Sequence, residues 1–232
     1  MRFFVSLDKG EYMKEKYDLI LFDLDGTLTD SGEGITKSVQ YALSKFGIDE
    51  PDLNNLTKFI GPPLIDSFMK YYGFSQEEAI QVRMAFTERY QPIGWKENKP
   101  YDGIVEVLEA LKEAGKLLGI ATSKPTDLAT RVLEHFDLIK YFPIICAAPT
   151  NGLGAEKAGR IQAAFEEAKN LGYEVKNPIM VGDTKFDVEG AHQCDIPCVG
   201  VSWGFAAEGE FEACNTEFVV DTMDELKEIL MK

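Results

Sequence analysis

The sequence predicts an α/β fold: a Rossmann-like parallel sheet core with an inserted all-helical cap. Three observations carry this. Short apolar runs alternate with amphipathic segments, the signature of a parallel sheet wrapped by helices. Residues 31–97 break that alternation and show only helical spacing. Acidic, hydroxyl and lysine residues stand directly after several apolar runs, at the edge where open α/β sheets bind ligands.

Taken in order, the first strand is Leu19–Phe22. Further strands are expected at Leu117–Ala121, Ile144–Cys146, Ile179–Val181, Cys198–Val201 and Phe218–Val220. The helices between them are Gly103–Ala114, ending at Gly115 as a plausible C-cap, Asp127–His135, Lys157–Leu171, Asp187–Gln193 and Met223–Met231. In the long interruption, Ile35, Val39, Ala42, Leu43 and Phe46 recur at helical spacing, and Leu64–Tyr72 and Gln76–Tyr90 read as further helices. Connections this long usually carry function or form a small domain. The expected division is a core of residues 1–30 and 98–232, with a cap of residues 31–97 over the sheet's C-terminal edge.

Composition narrows the function. The 232 residues are 45% hydrophobic, enough for a sizeable core. With 24 basic and 39 acidic residues the net charge is −15. That argues against nucleic-acid polymers and anionic membranes, which need basic surface. No apolar run reaches the roughly 18 residues of a membrane span. The opening "MRFFVSLDKGEY" breaks at Asp8, short of a signal peptide, and reads as a leader with Met13 as a possible native start. Cys146, Cys194, Cys198 and Cys214 form no C-x-x-C pair, and His135 and His192 are the only histidines. A zinc site is improbable, and the thiols read as small buried residues of a cytoplasmic protein. No feature of the sequence sets an oligomeric state.

The chemistry begins at "DLDGT", where Asp23 and Asp25 follow the first apolar run. Like charges this close repel, and burial worsens it. Three further elements fall after other runs or at a helix start: Thr122-Ser123-Lys124, Lys157, and "GDTKFD" from Gly182 to Asp187. Strand order can gather these carboxylates, hydroxyls and lysines at one point. Such oxygen-rich clusters suit Mg²⁺, a hard cation that neutralises carboxylates and admits a phosphate. Lys58, Arg83 and Arg89 are the cap cations that could reach a substrate. "GLGAEKAG" (Gly152–Gly159) lacks the glycine spacing of a dinucleotide loop.

Together "DLDGT", "ATSKP", Lys157 and "GDTKFD" resemble, in order and spacing, the four motifs of haloacid-dehalogenase-superfamily phosphatases. "FIGPPL" (Phe59–Leu64) is similar to a cap stretch of the phosphoglycolate-phosphatase-like branch, which has a helical C1 cap. The resemblance implies Asp23 as nucleophile, forming an aspartyl-phosphate, and Asp25 as acid and then base. The Asp-x-Asp spacing suits those roles if the intervening residue is extended. The same resemblance implies that Thr122 and Ser123 hold phosphate and that Lys157 cancels charge, with Lys124 as the fallback for that lysine. Mg²⁺ would be held by Asp23, Asp183 and the Asp25 carbonyl, with Gly26 and Asp187 in support. The implied activity is phosphomonoester hydrolysis of a small phosphorylated metabolite, such as phosphoglycolate or a nucleoside monophosphate. A phosphomutase and a non-catalytic phosphometabolite-binding protein are the alternatives on the same fold.

Overall fold

A computed structural model describes residues 17–150 and 156–232. The leader reading of residues 1–12 and the start of the Gly152–Gly159 stretch lie outside the described residues. The strands are β1 (Leu19–Phe22), β2 (Thr29–Asp30), β3 (Lys99–Pro100), β4 (Leu117–Pro125), β5 (Ile144–Ala148), β6 (Pro178–Gly182), β7 (Cys198–Val201) and β8 (Phe218–Val220). Among the described residues, six of these make one parallel sheet ordered β5–β4–β1–β6–β7–β8. β1 lies at its middle, with Leu19 in register with Leu117 on one side and Pro178 on the other.

The alternation of the pleat divides β1 between two cores. Ile20 and Phe22 join one apolar cluster, Leu19 and Leu21 the other. All four are fully buried, because helices cover both faces. Truncating Phe22 to alanine would cost about 3–5 kcal/mol.

The chain leaves the sheet after β1 and returns before β4 through a two-stranded antiparallel ribbon, Thr29 opposite Pro100 and Asp30 opposite Lys99. Between β2 and β3 lie α1 (Gly32–Lys45), α2 (Leu64–Tyr72) and α3 (Gln76–Tyr90), with 3₁₀ turns at Leu53–Phe59 and Gly94–Lys96. α3 starts at a capping box: the Ser75 hydroxyl accepts from the Glu78 amide, and the Glu78 carboxylate accepts from the Ser75 amide. The insertion buries its own apolar set, including Val39, Leu43, Leu56, Phe59, Phe68 and Val82. The Phe59 and Phe68 rings lie 4.9 Å apart. Arg89 grips Glu97 with two hydrogen bonds of 2.8 and 2.9 Å, tying the end of α3 to the return strand.

The remaining helices are α4 (Ile104–Glu113), α5 (Thr126–His135), α6 (Lys157–Asn170), α7 (Lys185–Gln193), α8 (Glu210–Ala213) and α9 (Met223–Leu230). α9 buries Leu226, Ile229 and Leu230 and packs beside α4. No helix among the described residues is long and apolar enough to cross a membrane. Two expectations need correction. α7 begins at Lys185 rather than Asp187, because Thr184 caps it. The four cysteines are free thiols, but only Cys198 is buried; Cys146, Cys194 and Cys214 are half-exposed.

Candidate active site

The apolar run of β1 stops at Phe22, and the backbone bends at Leu24. The Leu24 carbonyl accepts from both the Leu28 and Thr29 amides, closing a tight loop. Asp23 and Asp25 line one cavity, but each meets its own lysine. Gly26 turns the loop with φ +84°, a conformation that favours glycine. A Cβ there would also fall 2.1 Å from an Asp183 oxygen, so the loop can close on that carboxylate only through glycine.

Lys157, the first residue of α6, is buried with its Nζ 2.9 Å from Asp23 and 2.7 Å from Asp187. It also donates to the Ala121 carbonyl at the end of the apolar part of β4. Burial alone would lower this ammonium, but Asp187 and Asp23 hold it charged and raise it above the ordinary lysine range. Asp187 accepts from the Thr184 amide and hydroxyl at 3.1 Å while facing Lys157, so it caps α7 and belongs to the site at once. Asp183 accepts from the Thr27 hydroxyl at 3.1 Å and the Phe205 amide at 2.9 Å.

Oxygens of Asp23, Asp183 and Asp187 lie within 4.8 Å of one another. Burial pushes the Asp23 carboxyl up to about 6 against the opposing pull of Lys157. Burial, then Asp187 and Asp23, push Asp183 well above the usual carboxylate range. With all three carboxylates ionised, one lysine would leave a double negative charge, the state a bound cation must compensate. The Oδ1 atoms of Asp23 and Asp187 contact Lys157 as ion pairs, yet neither makes an aligned hydrogen bond. A divalent, oxygen-seeking cation fits both the charge and the spare lone pairs.

Thr122 is buried in β4 and lines the cavity, its hydroxyl accepting from the Lys124 amide at 3.2 Å. Ser123 lines the same cavity. The sequence elements expected to converge thus do so at the C-terminal ends of β1, β4 and β6 and the start of α6. Lys124 does not replace Lys157. It pairs with Asp25 instead, at 2.9 and 2.8 Å from the two carboxylate oxygens.

The insertion supplies the cavity's outer wall: Phe59, Pro62, Pro63, Ile65, Phe86 and Tyr90. Of the three cap cations, only Arg83 reaches it, donating to the Thr150 carbonyl at 2.7 Å. Lys58 sits over the Tyr71 and Tyr72 rings, and Arg89 is held by Glu97. His135 packs against Trp95 and Phe136, and His192 meets Glu217, so both serve the fold. Sequence reasoning missed Tyr90 and Gly204. Tyr90 carries no local signal. Gly204 backs Asp183 so closely that a Cβ would lie 2.2 Å from its side chain.

Known proteins resemble this chain in sequence and fold. A family model described as haloacid dehalogenase-like hydrolase matches residues 20–201. A 5'-nucleotidase of Pseudomonas aeruginosa is 40% identical, covering 93% of this chain and 96% of its own. A phosphoglycolate phosphatase of Agrobacterium fabrum is 30% identical over 81% of each chain. The crystal structure of a predicted phosphatase from Clostridium acetobutylicum matches with a TM-score of 0.86 at 42% identity, covering 92% of this chain and 97% of that one. The chain belongs to the haloacid dehalogenase-like hydrolases.

Proposed function

We propose that this hydrolase is a Mg²⁺-dependent phosphomonoester phosphatase working through an aspartyl-phosphate on Asp23. The observation that carries the reading is the buried group of Asp23, Asp183, Asp187 and Lys157 at the floor of a cavity, with Asp25 beside it. Mg²⁺ would be held by Asp23, Asp183 and the Asp25 carbonyl, and when bound it supplies charge neutralisation for the phosphate and its nucleophile. Asp187, already engaged by Thr184 and Lys157, supports the cluster without needing to touch the ion.

The Asp23 carboxylate attacks phosphorus, forming the acyl-phosphate bond as the ester P–O bond breaks. Protonated Asp25 gives its proton to the departing oxygen, which leaves as the alcohol. The Asp25 carboxylate then takes a proton from water, and the resulting nucleophile releases inorganic phosphate and restores both aspartates. Thr122, Ser123 and Lys157 offer donors and charge to the phosphoryl oxygens. Residues 31–97 act as a cap that closes over the first transfer and admits water for the second.

The cavity favours one substrate type. It is about 120 Å³, less than a nucleoside fills, so the chemistry of its wall and not its volume carries the preference, and the cap would have to open around a base. Its outer wall is aromatic and aliphatic, and Arg83 there already serves the Thr150 carbonyl. A nucleoside monophosphate, with a flat and largely uncharged organic part, suits that wall better than the carboxylate of phosphoglycolate. The 5'-nucleotidase relative supports the same preference.

The test is phosphate release from nucleoside monophosphates, phosphoglycolate, a sugar phosphate and pyrophosphate, with Mg²⁺ or chelator, for wild type and Asp23→Asn. Release should require Mg²⁺, be greatest with a nucleoside monophosphate, and be abolished by the substitution. A fully active Asp23→Asn protein removes the nucleophile from this scheme. A wild type silent on every ester removes the phosphatase.

A further inference from the structure

Lys124 and Tyr90 form a chain that runs from the insertion into the core. The Lys124 Nζ lies 2.9 and 2.8 Å from the Asp25 oxygens and 2.6 Å from the Tyr90 hydroxyl. Both Lys124 and Tyr90 are buried. Lys124 belongs to β4 of the sheet, while Tyr90 is the last residue of α3 in the insertion. The Tyr90 ring is fixed separately, stacked on Phe86 at 5.0 Å with planes 19° apart. Its hydroxyl therefore points from a rigid ring at a buried ammonium.

Two features give this chain a purpose beyond packing. A buried lysine must spend its donors on acceptors, and here those are Asp25 and Tyr90. The Asp25 side chain is 11% exposed at the cavity wall and needs a fixed direction to serve a leaving oxygen. The ammonium supplies that direction by keeping hold of one oxygen while the other turns to the substrate's leaving oxygen and carries the proton, and the phenol fixes the ammonium. Removal of the insertion from its seat would take away the phenol.

We propose that Lys124 and Tyr90 are positioning residues for Asp25, and that they make its aim at the leaving group depend on the seated cap. The inference rests on the reading of Asp25 as proton donor. It predicts a dependence on leaving group. An alkyl ester such as a nucleoside 5'-monophosphate needs its oxygen protonated on departure. 4-Nitrophenyl phosphate departs as a stabilised phenolate and needs little help. The ratio kcat/KM reports the first transfer only, so the second hydrolytic step does not confuse the comparison.

The experiment measures kcat/KM on both esters for wild type, Asp25→Asn, Lys124→Met, Lys124→Arg and Tyr90→Phe. Lys124→Met should lose about 10- to 100-fold on the alkyl ester and clearly less on 4-nitrophenyl phosphate, the same pattern as Asp25→Asn. Lys124→Arg should recover part of the alkyl-ester rate. Tyr90→Phe, which keeps the stacked ring, should lose a few-fold on the alkyl ester alone. Should Lys124→Met fail to fold, Tyr90→Phe decides the matter. Equal losses on both esters, or no loss on either, would overturn the positioning role while leaving the phosphatase intact. A wild type that cleaves neither ester overturns both.

Discussion

Lys157 and Lys124 each meet a buried carboxylate, at 2.9 Å from Asp23 and 2.8 Å from Asp25. Their other partners differ. Lys157 is completed by Asp187 and the Ala121 carbonyl, all on sheet and helix of the core. Lys124 is completed by Tyr90, from the insertion. One half of the site is thus assembled by the core alone, and the other half only when two parts of the chain meet. The first half holds the proposed nucleophile and metal cluster, which any phosphate ester would need. The second holds the proposed proton donor, whose value varies with the leaving group. On the proposed roles, the general chemistry is built by the core alone and the substrate-facing chemistry depends on the cap.

The sharpest way to break this comparison is Lys157→Met. It strips the shared cation from Asp23 and Asp187, so the loss should be large and indifferent to leaving group. We expect about 10³-fold in kcat on alkyl and nitrophenyl esters alike. Two buried carboxylates left facing each other should also cost about 3–5 kcal/mol, read as a lower denaturation midpoint. If the alkyl ester suffered much more than the nitrophenyl ester, Lys157 would be serving the leaving group and the two halves would not be separate.

The same division explains what could be read in advance. Asp23, Asp25, Thr122, Lys157 and Asp183 are legible because each follows an apolar run or opens a helix whose amphipathic spacing is local. The strands Leu19–Phe22, Cys198–Val201 and Phe218–Val220 fall where their apolar runs lie. The two-residue strands Thr29–Asp30 and Lys99–Pro100 were not legible, since two residues carry no period and their pairing spans the whole insertion. The start of α7 is encoded in the capping-box spacing of Thr184 and Asp187, which amphipathic periodicity does not report. Tyr90 was invisible for a different reason. Its partner lies 34 positions away across a domain-scale contact, and helical spacing reports only that Tyr90 is buried, not what its hydroxyl meets.

Asp187→Asn sharpens the core half with a smaller effect. One of its oxygens accepts from Thr184 and the other faces Lys157, so it should support the metal cluster from outside. The Mg²⁺ concentration for half-maximal activity should rise about 10- to 100-fold, with activity largely restored at saturating Mg²⁺. A loss that no Mg²⁺ concentration repairs would make Asp187 indispensable to the chemistry itself.

The smallest effect concerns pH and stability without metal. The Asp23 carboxyl is raised from 3.8 to about 6, with burial the largest cause. As pH climbs through about 4, the unfolded chain gives up this proton first, while the folded chain keeps it until about 6. The folded state binds more protons over that window, so its stability falls as pH rises, having been whole below it. Asp183, also raised by burial and by its carboxylate neighbours, adds a loss of the same sign. Mg²⁺ needs these groups as anions and stabilises the state that binds it. The rise in Tm on adding Mg²⁺ should therefore grow by a few degrees between pH 5 and pH 7.5, and Asp183→Asn should flatten that growth. An increment equal at both pH values would place the ion away from the buried carboxylates, and the core half of the site would lose the cation that its charge demands.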